Sequence, residues 1–321
     1  AIRLSPLEPL FHIFLGEAYA EVDRRQDALE TVHHALNLDP DNPRIYESLS
    51  YIHGLFFGRL DEAIKWSAMG LQRDSRSARL RPYMAAFYLD LGDISTVRLL
   101  IDQQTDLEVH GQLSVELLQM ALLVYSGRYE EALQFADEAW RHRQWGITAH
   151  FLATLYSLNG QYQRALEIND QRIALFENSV PHPETKVTPK NIRRAIDRAA
   201  ILMGMGEKDR ARRLLNNCLE VARLAPSDRW YLHWDFQLVQ IYALLGDVPN
   251  ALLALRQSID DDSRAGWWID LLHSPITASL RNEPQFQEMV EEIRADMATQ
   301  LENVREMQRT GEIPPLPAIN H

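Results

Sequence analysis

The sequence predicts an all-α solenoid of about seven stacked helical hairpins, finished at its C-terminal end by a capping helix. Three observations carry this. A turn residue followed five positions later by a small or β-branched apolar one recurs along the chain: Asp23/Ala28, Gly58/Ala63, Gly92/Val97, Gly127/Ala132, Gly160/Ala165, Gly206/Ala211 and Gly246/Ala251. The second members are separated by 35, 34, 35, 33, 46 and 40 residues, so most intervals sit near one period and two carry insertions. A fixed period of this length marks a repeat architecture, in which each unit buries its apolar face against its neighbours. After residue 262 the mark stops and one long amphipathic stripe follows.

The mark has a local cause. The first helix of a hairpin ends at the turn residue, where positive φ is cheap only for Gly, Asn or Asp. The small residue lies one turn into the second helix, where it lets the two helices approach. Leu91-Gly92-Asp93, Leu245-Gly246-Asp247 and Ser126-Gly127-Arg128-Tyr129-Glu130-Glu131 read as a stop followed by an acidic first turn, which suits a helix N-terminus. Hairpins are expected at about 9–40, 43–75, 77–107, 112–143, 146–177, 190–225 and 228–260, giving an array over 1–262.

Leu15, Gly16, Tyr19, Ala28, Ala35 and Pro40 follow the pattern of the tetratricopeptide repeat, and residues 10 to 260 resemble that family. Tyr88/Gly92/Val97, Ala153/Tyr156/Gly160/Ala165 and Tyr242/Gly246/Ala251 keep part of it. The resemblance implies a right-handed superhelix whose concave face is lined by the first helix of each hairpin. Repeat two carries one extra residue near Phe56–Phe57. Residues 178–189 hold three prolines and form the longest interruption. They are expected to be irregular, either a tolerated insertion or an arm over the groove.

In the C-terminal segment, 263–321, Trp267, Trp268, Leu271 and Leu272 precede a helix start at Asn282-Glu283-Pro284. Phe286, Val290, Ile293, Met297, Leu301 and Val304 then make one apolar stripe, ended by Gly311 and the Pro314-Pro315-Leu316-Pro317 tail. Such a helix caps the last apolar face of a solenoid. The alternative is that its far end, past Met297, overhangs the last hairpin, which leaves a homodimer contact through 283–309 open. Residues 275–287 and 293–298 also resemble the ends of bacterial multidomain regulators. There a tetratricopeptide array follows a winged helix, a nucleotide cyclase or a kinase. That resemblance implies a regulatory half of a larger protein. The opening Ala1–Pro9 likewise reads as a junction cut from a longer chain.

Composition limits the chemistry. The chain has 321 residues and a formal net charge of −12. Such a surface repels phosphate backbones and argues against nucleic-acid binding. Cys218 is the single cysteine, so no intrachain disulfide is possible. No run of apolar residues is long enough to span a bilayer, and no signal-like segment opens the chain. A cytoplasmic location is favoured, with the periplasm as the alternative if the array ends a membrane-anchored regulator. No phosphate loop, nucleophile elbow or zinc spacing occurs, so no catalytic residue, metal or cofactor is expected. His33–His34 point apart on a helix, Cys218 occupies a small-residue packing position, and Asp260-Asp261-Asp262 lacks the alternation of a calcium loop.

The family's groove positions carry over to Glu17, Arg44, Tyr51, Arg79, Tyr125, His150, Thr154, Arg193, His233, Phe236 and Gln240. This aromatic, polar and basic mixture suits a peptide or protein partner. The carboxylate clamp of chaperone-binding members is not matched: Ile13, Glu17 and Glu47 stand at those positions. Trp230 and Trp234, one turn apart, are either an aromatic anchor or core. The expected function is a non-enzymatic scaffold or sensor. The alternative is an array that binds a small effector or peptide signal and switches an attached output domain.

Overall fold

A computed structural model describes Ser5 and residues 7–103, 115–142, 146–175, 180–224 and 234–317. The described regular structure is helical, arranged as seven successive hairpins and a C-terminal return. The hairpins are α1 (Pro9–Glu21) with α2 (Arg25–Leu38), α3 (Pro43–Tyr51) with α4 (Leu60–Leu71), α5 (Leu80–Asp90) with α6 (Ile94–Asp102), and α7 (Val115–Tyr125) with α8 (Tyr129–His142). Then come α9 (Gly146–Leu158) with α10 (Tyr162–Ala174), α11 (Ile192–Gly204) with α12 (Lys208–Leu224), and α13 (Trp234–Leu245) with α14 (Val248–Asp260). A π turn (Ile269–His273), a 3₁₀ turn (Pro275–Leu280) and the long helix α15 (Pro284–Thr310) complete the chain.

The recurrent mark works as a helix stop. Asp23 and the six marked glycines all have positive φ, from 58° to 85°. The next N–H turns back to a carbonyl of the preceding helix, as from Asp93 to Tyr88, Gln161 to Tyr156 and Asp247 to Tyr242. This closes the orphan carbonyls of the helix end. The seven partners Ala28, Ala63, Val97, Ala132, Ala165, Ala211 and Ala251 have no exposed surface, as close helix contact demands. At Gly16 the two helices of repeat one come close enough that an added Cβ would lie 2.3 Å from Val32 Cγ2.

Repeat two absorbs its extra residue in a π turn at Ile52–Phe56. Its closing bond, from Arg59 N–H to His53 O, spans one residue more than in the other hairpins. The insertion before α11 is pinned to the array. Glu184 accepts from Arg198 and Arg210, and Asn191 donates to the carbonyls of Pro181 and Lys186. Val187 is buried in the core of repeat six.

The largest departure from a simple solenoid is its closure. Stacked repeats ordinarily touch only their neighbours, yet here the end of the array meets its beginning. Arg25 Nη1, at the start of α2, lies 2.6 Å from Asp262 Oδ2 just past α14. Gly58 packs so closely that an added Cβ would sit 2.2 Å from Asp262 O. The acidic triplet is therefore not simply a solvated helix end.

Helix α15 does not overhang. Its first half packs on α14, where Arg256 makes two bonds to Glu292, at 2.6 and 2.9 Å. Its second half lies on α4, with Met297, Gln300 and Val304 buried. Gln300 Oε1 accepts from the N–H groups of Leu60, at 2.7 Å, and Asp61, at 3.3 Å, while its Nε2 donates to Gly58 O. It caps α4, whose own Arg59 makes no side-chain cap. Asn303 donates to Asp61, and Gln308 to Tyr88 Oη. The tail then follows the array: Gln72 donates to Pro315 O and buried Arg81 to Pro317 O. The stripe faces the chain's own repeats because both α14 and α4 present apolar surface to it, so one core runs from Leu60 through Phe87 and Leu155 to Ile293 and Ile313.

Candidate functional site

Residues 263–280 run against the first helices α5, α7, α9 and α13, along what we term the inner face. Buried Trp267 and Trp268 meet the end of α5: Trp267 Nε1 donates to Asp90 O at 3.0 Å and Trp268 Nε1 to Asp90 Oδ1 at 2.9 Å. The N–H of Gly266 donates to the same Oδ1 at 3.1 Å. Burial pushes the Asp90 carboxyl up to about 7, against the pull of these two donors. Farther along, Tyr125 stacks edge-on against Trp268, with centroids 5.1 Å apart. Tyr129 Oη and His273 Nδ1 are 2.7 Å apart. Gln240 on α13 donates to Asp270 Oδ1 at 3.0 Å.

Between this segment and α9, α11 and α13 lies a cavity of about 400 Å³. His150, Thr154, Arg193 and Gln240, four of the positions read from the sequence, line it together with Asp197. Asp270, His273 and Ile276 of the closing segment form the opposite wall, and Phe151, Leu155, Leu158, Ile201 and Leu244 supply apolar surface. The enclosing wall is thus the C-terminal segment, not the insertion before α11.

The polar corner of the cavity is ordered by charge. Asp197 Oδ2 accepts from Arg172 Nη1 at 2.5 Å and lies 3.0 Å from His150 Nδ1. Burial opposes the Asp197 charge, but His150, Arg172 and Arg193 outweigh it and hold its pKa well below the usual carboxylate range. For His150, burial outweighs the help of Asp197 and lowers its pKa, with Arg193 and Arg172 acting in the same direction. Its Nδ1 is taken up by Asp197. Half-buried Arg193 makes no hydrogen bond or ion pair among the described residues.

The other candidates are separate. Glu17, Tyr51 and Arg79 gather on the inner face of repeats one to three, beside Glu47 and Tyr83. Arg79 Nη1 is 3.7 Å from Glu47 Oε2, and the Tyr51 and Tyr83 rings are 6.2 Å apart. Burial raises the Glu17 pKa despite Ser48 and Arg79. Arg44 is exposed at the start of α3. Phe236 is buried in the core and Gln240 is 6 % exposed, so neither is open to a macromolecular partner. His233, Trp230 and the side chain of Trp234 lie outside the described residues. Cys218 is buried among apolar neighbours, and burial pushes its thiol up to about 12. Asp90, Arg172, Asp197 and Asp270 were not singled out from the sequence. Arg172 sits on a second helix, Asp90 and Asp197 are lone acids on first helices, and Asp270 lies past the repeats, so none has a local signal.

Among the described residues no helix is long and apolar enough to cross a membrane, and no group of three His, Cys, Asp or Glu has metal-holding geometry. No family model and no curated protein matches the sequence. Among solved structures, the chain is similar to one in the crystal structure of the APC/C hetero-tetramer Cut9–Hcn1. Identity is 12 %, 91 % of this chain and 50 % of that one are covered, and the TM-score is 0.52. This chain thus spans half the length of that one. A tetratricopeptide repeat protein from Parabacteroides merdae ATCC 43184 matches at 14 % identity over 89 % of this chain and 98 % of that one, with a TM-score of 0.46. Pseudomonas aeruginosa pilF matches at 17 % over 88 % and 97 %, with a TM-score of 0.35. At these identities the likeness shows the fold alone, an all-α helical-repeat solenoid.

Proposed function

We infer that this chain is a non-enzymatic protein- or peptide-binding module, with repeats one to three as its open docking face. One observation supports this most: the inner face already holds a chain segment, its own residues 263–280, through Asp90, Tyr125 and Gln240. A face that binds a coiled stretch of chain by side-chain hydrogen bonds and aromatic contacts has the chemistry to bind another peptide segment. Glu17, Tyr51 and Arg79, with Glu47 and Tyr83, offer a half-buried aromatic floor with charges of both signs. Arg44 extends this surface at the start of α3. The net charge of −12 favours partners with basic residues and disfavours nucleic acid.

The test is a peptide-display selection on the full chain, followed by affinity measurement on a Glu17→Ala/Tyr51→Ala/Arg79→Ala variant. Enriched peptides should bind the parent in the micromolar range and lose at least tenfold, about 1.4 kcal/mol, on the variant. Failure to enrich any peptide, or equal binding to both proteins, rejects this docking face.

The resemblance of residues 275–298 to the ends of bacterial multidomain regulators supports a further reading, the regulatory half of a signalling or transcription regulator. The partner domain would then be encoded in the same reading frame. The enclosed cavity favours a second function, an effector site. Its wall belongs to the segment that closes the array, so occupancy would bear on closure.

A further inference from the structure

We propose that the cavity between α9, α11, α13 and residues 269–276 binds a small amphipathic monocarboxylate, with Arg193 as the carboxylate ligand. The inference deepens the effector reading and rests on it. A volume of about 400 Å³ falls at the lower end of the range for small-molecule sites. It admits one small ring system or a short acyl chain, and no folded element.

The identity of the ligand follows from which polar groups are already used. Three of the charged or ionisable groups at the cavity are committed inside the protein. Asp197 is held by Arg172 and His150, Asp270 accepts from Gln240, and His273 pairs with Tyr129. Arg193 alone among the charged lining groups has no hydrogen-bond or ion-pair partner among the described residues. Arg172, not Arg193, is the guanidinium that contacts Asp197. A guanidinium presents paired donors that match a carboxylate. His150, with Nδ1 engaged by Asp197, leaves Nε2 for a further hydrogen bond with the same ligand. Most of the remaining lining is aliphatic or aromatic, including Phe151, Leu155, Leu158, Ile201, Leu244 and Ile276. An apolar body carrying one anionic head satisfies both parts, whereas a polyanion or a sugar would leave polar groups facing this apolar wall.

The site also has a consequence for closure. Because Ile269, Asp270, His273 and Ile276 complete the wall, a ligand held by Arg193 contacts the array and the closing segment together. Binding therefore favours the closed form by whatever affinity is lost when that wall leaves.

The experiment is calorimetric titration of the full chain with indole-3-acetate, 4-phenylbutyrate and octanoate, each beside its primary amide. At least one acid should bind at submillimolar concentration, and its amide at least tenfold more weakly. Arg193→Gln should bring the acid to the level of the amide, while Arg193→Lys should keep a preference for the acid. Hydrogen exchange of residues 269–276 should slow on binding. Equal affinity of acid and amide would overturn the carboxylate assignment and leave the effector cavity standing. No binding of any probe at millimolar concentration would overturn both. Binding without slowed exchange at 269–276 would put the ligand elsewhere and also overturn the proposal. If Arg193→Gln does not fold, the acid–amide comparison on the parent chain still decides.

Discussion

Asp90 holds the closing segment through three donors and without an ion pair among the described residues: its carboxylate takes Gly266 N–H and Trp268 Nε1–H, and its carbonyl takes Trp267 Nε1–H. Burial raises its pKa to about 7 in the folded chain, against about 3.9 when unfolded. Between these values the folded state binds the extra proton, so stability falls as pH rises, by up to about 1.4 kcal/mol per pH unit, and levels off above pH 7. Asparagine keeps an acceptor for both donors and carries no charge. Asp90→Asn should therefore match the parent near pH 4 and exceed it at pH 8, read as the difference between urea midpoints at the two pH values. A difference unchanged with pH would contradict this account of Asp90. Little of the residue scale was legible in the sequence. His150, Thr154, Arg193 and Gln240 could be placed on one face because repeat geometry sets which way a first helix points. Asp90 and Asp197 matter only through partners from other repeats or from the C-terminal segment, which local pattern does not encode.

The helices themselves were legible because each stop is local. A residue tolerant of positive φ and a small residue five positions on suffice to end one helix and seat the next, and this is what Gly92/Val97 or Gly160/Ala165 do. The extra residue of repeat two was visible as a slip in spacing, and its π turn is the local means of taking it up. Helix α15 was only half legible. Its apolar stripe announced a buried face but not the surface that buries it, and the alternative of a free far end is ruled out at Gln300 and Val304. Gln300 reads as an ordinary polar position, yet it caps α4 from 240 residues away in sequence. Gln300→Leu should leave the Leu60 N–H buried without an acceptor and cost about 1–3 kcal/mol of stability. Unchanged stability of Gln300→Leu in chemical unfolding would mean that the cap contributes nothing.

At the scale of the whole molecule, seven hairpins that would otherwise contact only their neighbours are joined into one closed body by residues 262–317. The seam runs from Arg25–Asp262 through Gln300 and Asn303 on α4 to Lys65–Glu312 and Arg81–Pro317. Closure leaves the part of the inner face around Glu17, Tyr51 and Arg79 uncovered and covers the part from Asp90 onward, which encloses the cavity. The docking reading belongs to the first part, the effector reading to the second. It also turns the apolar side of α15 inward, leaving mainly charged residues such as Glu288, Glu291, Arg294, Glu302 and Arg305 outside. None of this could be read from repeat periodicity, because every seam contact joins residues more than 200 positions apart.

Zero-length carbodiimide coupling followed by peptide mapping tests this closure most directly, since Lys65 Nζ and Glu312 Oε1 lie 3.1 Å apart. The account predicts a Lys65–Glu312 linked peptide from the monomeric fraction, lost in Glu312→Gln. Its absence from monomer, or its appearance only in covalent dimers where α15 of one copy lies on another, would contradict a C-terminal segment folded back on its own array.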